Sequence, residues 1–169
     1  MSDKKAIIFL DIDGVLNSLA YFEANKDRGH IEISDYHLQM LANIYHACDA
    51  KIVLSSSWRT LDVDDIHVNW MYQYLLDELA RYDMEIIDKT PVLDMDNRPL
   101  EILTWLEEHG GKDNYNFVSL DDDWSKEHYD KYGIGDCLVK TEFFCKDISE
   151  GGLHQRHVDA AIKILKGNS

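Results

Sequence analysis

A chain of 169 residues, 45% apolar and 29% charged, has the length and composition of one ordinary globular domain, which excludes disordered, collagen-like and fibrous classes. Seventeen Lys and Arg against thirty-two Asp and Glu leave a formal charge of -15, which repels polyanions at long range and sets aside a non-specific binder of nucleic acid or anionic membrane. Three cysteines, Cys48, Cys137 and Cys145, with no C-x-x-C spacing are read as reduced thiols, not as a disulfide framework or a zinc site.

Lys4-Lys5 precedes the apolar run Ala6 to Leu10, but Asp11 and Asp13 end that run too early for a secretory leader. Nothing later approaches the roughly 18 uninterrupted apolar residues of a membrane helix, so a soluble, cytoplasmic protein is expected. Ala6 to Leu10, bounded by Asp-x-Asp-Gly, reads as a strand buried on both faces. An irregular polar stretch to Gly29 follows. Ser34 then caps a helix with Leu38, Leu41, Ala42, Tyr45 and Cys48 on one face. Lys51 to Leu54 is a second buried strand, stopping at Ser55-Ser56-Ser57. Residues 62–82 carry Ile66, Trp70, Met71, Tyr74, Leu75 and Leu79 at helical spacing, and a weaker strand follows at 84–87. Pro99 opens a helix with Ile102, Leu103 and Leu106 inward, ended by Gly110-Gly111. Strands are predicted at 116–120 and 137–139, and a closing helix carries Val158, Ala161, Ile162 and Leu165. Strands alternating with helices predict a three-layer α/β/α sandwich on a mostly parallel, Rossmann-like sheet, with residues 1–169 as one domain.

Three strands end in polar clusters: Asp11-Ile-Asp13-Gly14, Ser55-Ser56-Ser57-Trp58-Arg59 and Asp121-Asp122. In an open parallel sheet the ligand crevice lies beyond the carboxyl ends of the strands, so the three clusters converge there. Carboxylates gathered in one crevice repel one another unless a hard cation lies between them, and oxygen donors without His or Cys favour Mg²⁺. Serine hydroxyls and free backbone N–H groups beside such a cation suit a phosphate. Phosphoryl transfer is the chemistry implied.

The run Leu10-Asp-Ile-Asp-Gly-Val-Leu16 resembles motif I of the haloacid dehalogenase (HAD) superfamily, Ser55 after Ile52 to Leu54 resembles its motif II, and Leu120-Asp121-Asp122 its acidic motif IV. Asp-Gly-Val-Leu-Asn17, Ser-Ser-Ser-Trp-Arg59 and Arg98-x-x-Glu101-Ile-x-x-Trp105-Leu106 are similar to HAD domains of Swiss-army-knife-type RNA repair systems. The resemblance implies that Asp11 is a nucleophile forming an aspartyl-phosphate and that Asp13 is its general acid and base. It also implies that Ser55 binds the phosphoryl group, and that Asp121 or Asp122, with the Asp11 carboxylate and the Asp13 backbone carbonyl, holds Mg²⁺. For motif III, where the superfamily places a Lys or Arg, Arg98 is preferred over Lys89, because a guanidinium at a helix N-terminus suits an in-line phosphoryl group. Gly14, Asn17, Ser56 and Arg59 are candidate substrate contacts, Arg59 as a clamp; helix capping is the competing reading for Ser56. Trp58 is read as core, or as a stacking residue beside motif II.

No insertion is long enough for a folded cap, so an open site is expected, walled by a flap at about 17–33 and a helical excursion at about 61–82. The expected partner is a phosphorylated substrate, with a nucleotide or nucleic-acid end leading by resemblance, no long-backbone binding and no membrane. A phosphatase for a phosphoprotein or small metabolite, and a HAD-fold binding module without turnover, stay open as alternatives.

Overall fold

The computed structural model describes residues 4–29, 32–93 and 96–167. Its frame is a five-stranded, all-parallel sheet in the order β3-β2-β1-β4-β5, formed by β1 (Lys5–Leu10), β2 (Lys51–Leu54), β3 (Ile86–Lys89), β4 (Tyr115–Asp121) and β5 (Leu138–Lys140). The chain first runs outward through β1, β2 and β3, then returns to the far side of β1. The switch point therefore lies between β1 and β4, beyond whose carboxyl ends a crevice opens.

The continuous apolar run of β1 has a direct cause: both of its faces are covered. Ile8 and Leu10 pack with α2 (Asp35–Ala47), α3 (Ile66–Ala80) and α6 (Gln155–Leu165). Ile7 and Phe9 pack with α4 (Arg98–Glu108) and α5 (Lys126–Asp130), through Ile102, Trp105, Leu106 and Tyr129. The result is the three-layer sandwich expected, with no cap domain among the described residues. Ser34 accepts from the His37 N–H and starts α2, while Asn97 accepts from the Leu100 N–H and starts α4 one residue before Pro99.

Three expectations need correction. Within the segment read as irregular, Ser18 caps a short helix, α1 (Leu19–Asn25), which anchors itself through Ala20 and Tyr21. The flap's residues 30 and 31 lie outside the described residues. The third strand sits two residues later than read, at Ile86–Lys89: Met84 tucks into the core ahead of it, while Ile86, Ile87, Asp88 and Lys89 of the edge strand are all partly or fully exposed. In α3 the buried face is Tyr72, Leu75 and Leu79, and Ile66 and Trp70 point into solvent. Cys48 ends α2 as its half-buried C-cap and packs against the same core as Leu38, Leu41 and Ala42.

Candidate active site

Ladder hydrogen bonds carry the sheet's register past the ends of its strands. The Asp11 N–H donates to the Leu120 carbonyl (3.0 Å), Ser55 N–H to Leu10 (2.8 Å), Thr90 N–H to Leu54 (3.0 Å) and Thr141 N–H to Asp121 (3.0 Å). Strands β3, β2, β1 and β5 thus deliver Thr90, Ser55, Asp11 and Thr141 to one edge, with Asp121 at the end of β4 between the last two. Beyond Asp11 the chain turns back, with Ile12, Val15 and Leu16 fully buried and the Val15 and Leu16 N–H groups both bonded to the Ile12 carbonyl. The apolar residues of the motif nail this loop to the core, and its polar ones are left facing the crevice.

Asp11, Asp121 and Asp122 each present a carboxylate oxygen within 4.8 Å of the others. Arg98 bridges the first two: its Nη1 lies 3.4 Å from Asp121 Oδ2 and 3.9 Å from Asp11 Oδ1. Burial raises the Asp11 carboxyl well above the usual range and Asp121 raises it further, with Arg98 pulling the other way. Asp121 is raised by burial against the same pull, and burial followed by Asp121 pushes Asp122 up to about 6. For Arg98, burial works against the charge, but Asp121 and Asp11 outweigh it and the guanidinium is held above its ordinary value. One cation does not compensate two buried carboxylates and a half-buried third.

Whether a metal fits can be judged from the donors. Asp121 Oδ2 is buried with no hydrogen-bond partner, the three carboxylates face one point, and every donor is an oxygen. A hard divalent cation of the Mg²⁺ type suits this set, with Asp121 at the end of β4 and Asp122 just beyond it both offering an oxygen. Gly14 makes the cluster possible: it adopts φ +83°, and a Cβ there would lie 2.3 Å from Asp122 Cγ.

Asp13 is held by neutral donors on both oxygens. The Asn17 side-chain amide donates to Oδ1 and the Trp58 indole to Oδ2, each at 3.1 Å. Asn17, fully buried, is further fixed by the Gly14 N–H, which donates to its Oδ1, and by its own bond to the Glu32 carbonyl. Its amide is therefore spent on orienting Asp13 and shaping the loop. The Gly14 N–H is engaged in the same way.

The Ser55 hydroxyl is 1% exposed and has no partner. Ser56 uses its hydroxyl to cap the 3-10 turn Ser57–Leu61 through the Trp58 N–H, the competing reading given above. Arg59 is not brought to the crevice as a free clamp. It is buried, donating to the Ser56 carbonyl and to Glu101 Oε2, both at 2.7 Å. Glu101, fully buried, also accepts from the Leu93 N–H and sets its Oε1 3.6 Å from Arg98 Nε. Lys89 lies elsewhere, paired with Asp62 and with its ammonium 4.9 Å from the centre of the Tyr72 ring.

Sequence reasoning missed two contributors. Glu101 was visible only as part of the Arg98-x-x-Glu101 spacing, which at i,i+3 puts both on one helix face. Thr141, whose hydroxyl donates to the Gly14 carbonyl, sits at the end of β5 just as the other clusters end their strands, and that position was the available signal. The family model for the HAD domain in Swiss Army Knife RNA repair proteins matches residues 7–145. The chain belongs to this family. Neither the curated proteins nor the solved structures give a match. The match places this HAD domain among HAD-type hydrolases, and it reaches from within β1 through β5 and covers every candidate residue above. It ends before α6, which nonetheless packs Val158, Ala161 and Leu165 into the core.

Proposed function

We propose that this HAD domain is a Mg²⁺-dependent phosphomonoesterase working through an aspartyl-phosphate, with a nucleotide or nucleic-acid end as substrate. The observation that carries the reading is a buried, unpartnered Ser55 hydroxyl on the strand adjacent to Asp11, together with an Arg98 shared between Asp11 and Asp121. Asp11 attacks phosphorus; the new O–P bond forms as the ester P–O bond breaks, and Asp13 gives its proton to the departing oxygen. Asp13 then takes a proton from water as that water attacks phosphorus, which releases inorganic phosphate and restores the Asp11 carboxylate. Arg98 and the Ser55 hydroxyl act on the three equatorial phosphoryl oxygens, over which the transition-state charge is spread in both steps. The Asp11, Asp121 and Asp122 carboxylates, with the Asp13 backbone carbonyl, would hold Mg²⁺, which when bound would supply the positive charge that lets one anion approach another. Trp58 and Asn17 keep the Asp13 carboxylate aimed; Ser56 and Arg59 hold the motif II turn in place. The nucleic-acid end is supported by the family's description as a domain of RNA repair proteins.

The test is hydrolysis of p-nitrophenyl phosphate. Activity is expected with Mg²⁺, lost on chelation and restored by adding the metal back, and absent from folded Asp11→Asn. Full activity after exhaustive chelation would overturn the metal-assisted reading.

A further inference from the structure

Exposed large apolar residues collect on the segments leaving the carboxyl ends of the strands: Leu19 after β1, Ile66 after β2, Val92 after β3 and Phe144 after β5. Single apolar residues at a surface are ordinary. Phe144 differs in being 82% exposed on a backbone that is firmly tied down beside motif I. Thr141 donates to the Gly14 carbonyl, Leu19 N–H to Phe143 (2.9 Å), Gly152 N–H to Glu142 (2.9 Å) and Leu153 N–H to Val15 (2.9 Å). Phe143 packs edge-on against Phe144 with centroids 5.0 Å apart and reaches back to Phe22 of α1 at 6.2 Å. At this exposure at least one face of the Phe144 ring is open. It is the third residue after Thr141, so it lies within about 10 Å of chain reach from the motif I loop, a distance that one nucleotide covers between phosphate and base.

We propose that Phe144, backed by Phe143 and Phe22, is the platform on which the first base of a nucleotide or nucleic-acid end stacks while its terminal phosphate lies between Asp11 and Ser55. The placement of the phosphate rests on the phosphomonoesterase reading above. An open flat ring favours a planar partner, since every base offers a π-face, whereas an aliphatic or peptide anchor requires a concave pocket. Two residues further on, Lys146 is exposed and makes no ion pair among the described residues, and so can meet one following phosphate. The surrounding Glu142, Asp147 and Glu150 leave no track for a longer backbone.

The experiment compares kcat/KM for adenosine 5′- and 3′-monophosphates with that for β-glycerophosphate, glucose 6-phosphate and a phosphoserine peptide, in wild type and in Phe144→Ala, Phe144→Leu and Phe144→Trp. Loss of one stacked base predicts that the ratio of nucleotide to glycerophosphate efficiency falls about 5- to 100-fold in Phe144→Ala, mostly through KM. Phe144→Leu, which keeps apolar area without the ring, should fall as well, and Phe144→Trp should retain the ratio. An unchanged ratio, or an equal effect on glucose 6-phosphate or on the peptide, overturns the proposal. Calorimetric binding of adenosine monophosphate to Asp11→Asn, with and without Phe144→Ala, reads stacking in the absence of turnover. If wild type hydrolyses nothing yet binding still depends on Phe144, the hydrolase reading fails and the platform stands; if binding ignores Phe144, the platform fails.

Discussion

Arg98 carries more of the site than any other single side chain, because it is the positive charge lying within 4 Å of both Asp11 and Asp121. From the sequence, Arg98 and Lys89 were rivals: both follow β2, and spacing does not say which way a long side chain turns. The structure separates them physically. Lys89, on an edge strand, finds Asp62 and the Tyr72 ring, whereas Arg98 starts α4 and is steered inward by Glu101 one turn along. Arg98→Ala should lower kcat by about a hundredfold or more while circular dichroism shows the fold retained, the scale of losing one preorganised electrostatic donor. Arg98→Lys should recover part of this, and Lys89→Ala should be nearly silent. A damaging Lys89→Ala beside a mild Arg98→Ala would reverse the assignment. Asn17 and Arg59 show the limit of reading residues singly: both belong to motifs that line the crevice, yet each is committed to another side chain, a fact that burial and not sequence decides.

At the scale of elements, those buried on both sides were the legible ones. The strands β1, β2 and β4 show as short apolar runs because helices cover both faces, while β3, on the sheet edge, mixes Ile86 with Asp88 and Lys89 and offers no such run. The short α1 and α5 escape because each buries only one or two residues, too few for a period. One junction between elements has a measurable consequence. His37 of α2 lies against Gly152, where φ is +72° and a Cβ would come within 2.5 Å of Nε2; that Nε2–H donates to the Gly151 carbonyl (2.9 Å), and the buried Nδ1 has no partner. His157 of α6 accepts the His154 N–H through Nδ1 (2.9 Å). Burial lowers both to about 4, with His154 adding to the effect at each and Arg156 at His157. Because the unfolded chain binds protons near pH 6.5 and the folded rings do not, this stability is complete above about pH 6.5 and drains away as pH falls to about 4. The His37 share is on the order of 3 kcal/mol. Denaturant midpoints should therefore fall between pH 7 and 4, and His37→Gln should flatten the slope. Equal slopes for wild type and variant would remove His37 from the account.

Taken whole, the molecule sets a charge of -15 against a phosphorylated substrate. The conflict is resolved if recognition is confined to one end: Arg98 and a bound cation for the terminal phosphate, and Lys146 for the next. Each neutralised phosphate of a single strand contributes roughly -0.7 to the slope of log K against log salt, so two or three contacts predict about -1.4 to -2.1. Extending an oligonucleotide from about three to about twenty residues should leave kcat/KM almost unchanged. A steeper slope, or affinity that climbs with length, would point to a basic channel that the described residues do not display. The central claim is that Asp11 accepts the phosphoryl group. The most direct measurement mixes ³²P-labelled substrate with the protein and with Asp13→Asn, which should slow breakdown of the intermediate, then quenches in acid and maps the protein-bound label. The account predicts label that hydroxylamine releases, on the peptide holding Asp11, accumulating in Asp13→Asn and absent from Asp11→Asn. Label on Ser55, or turnover by a folded Asp11→Asn protein, would contradict it.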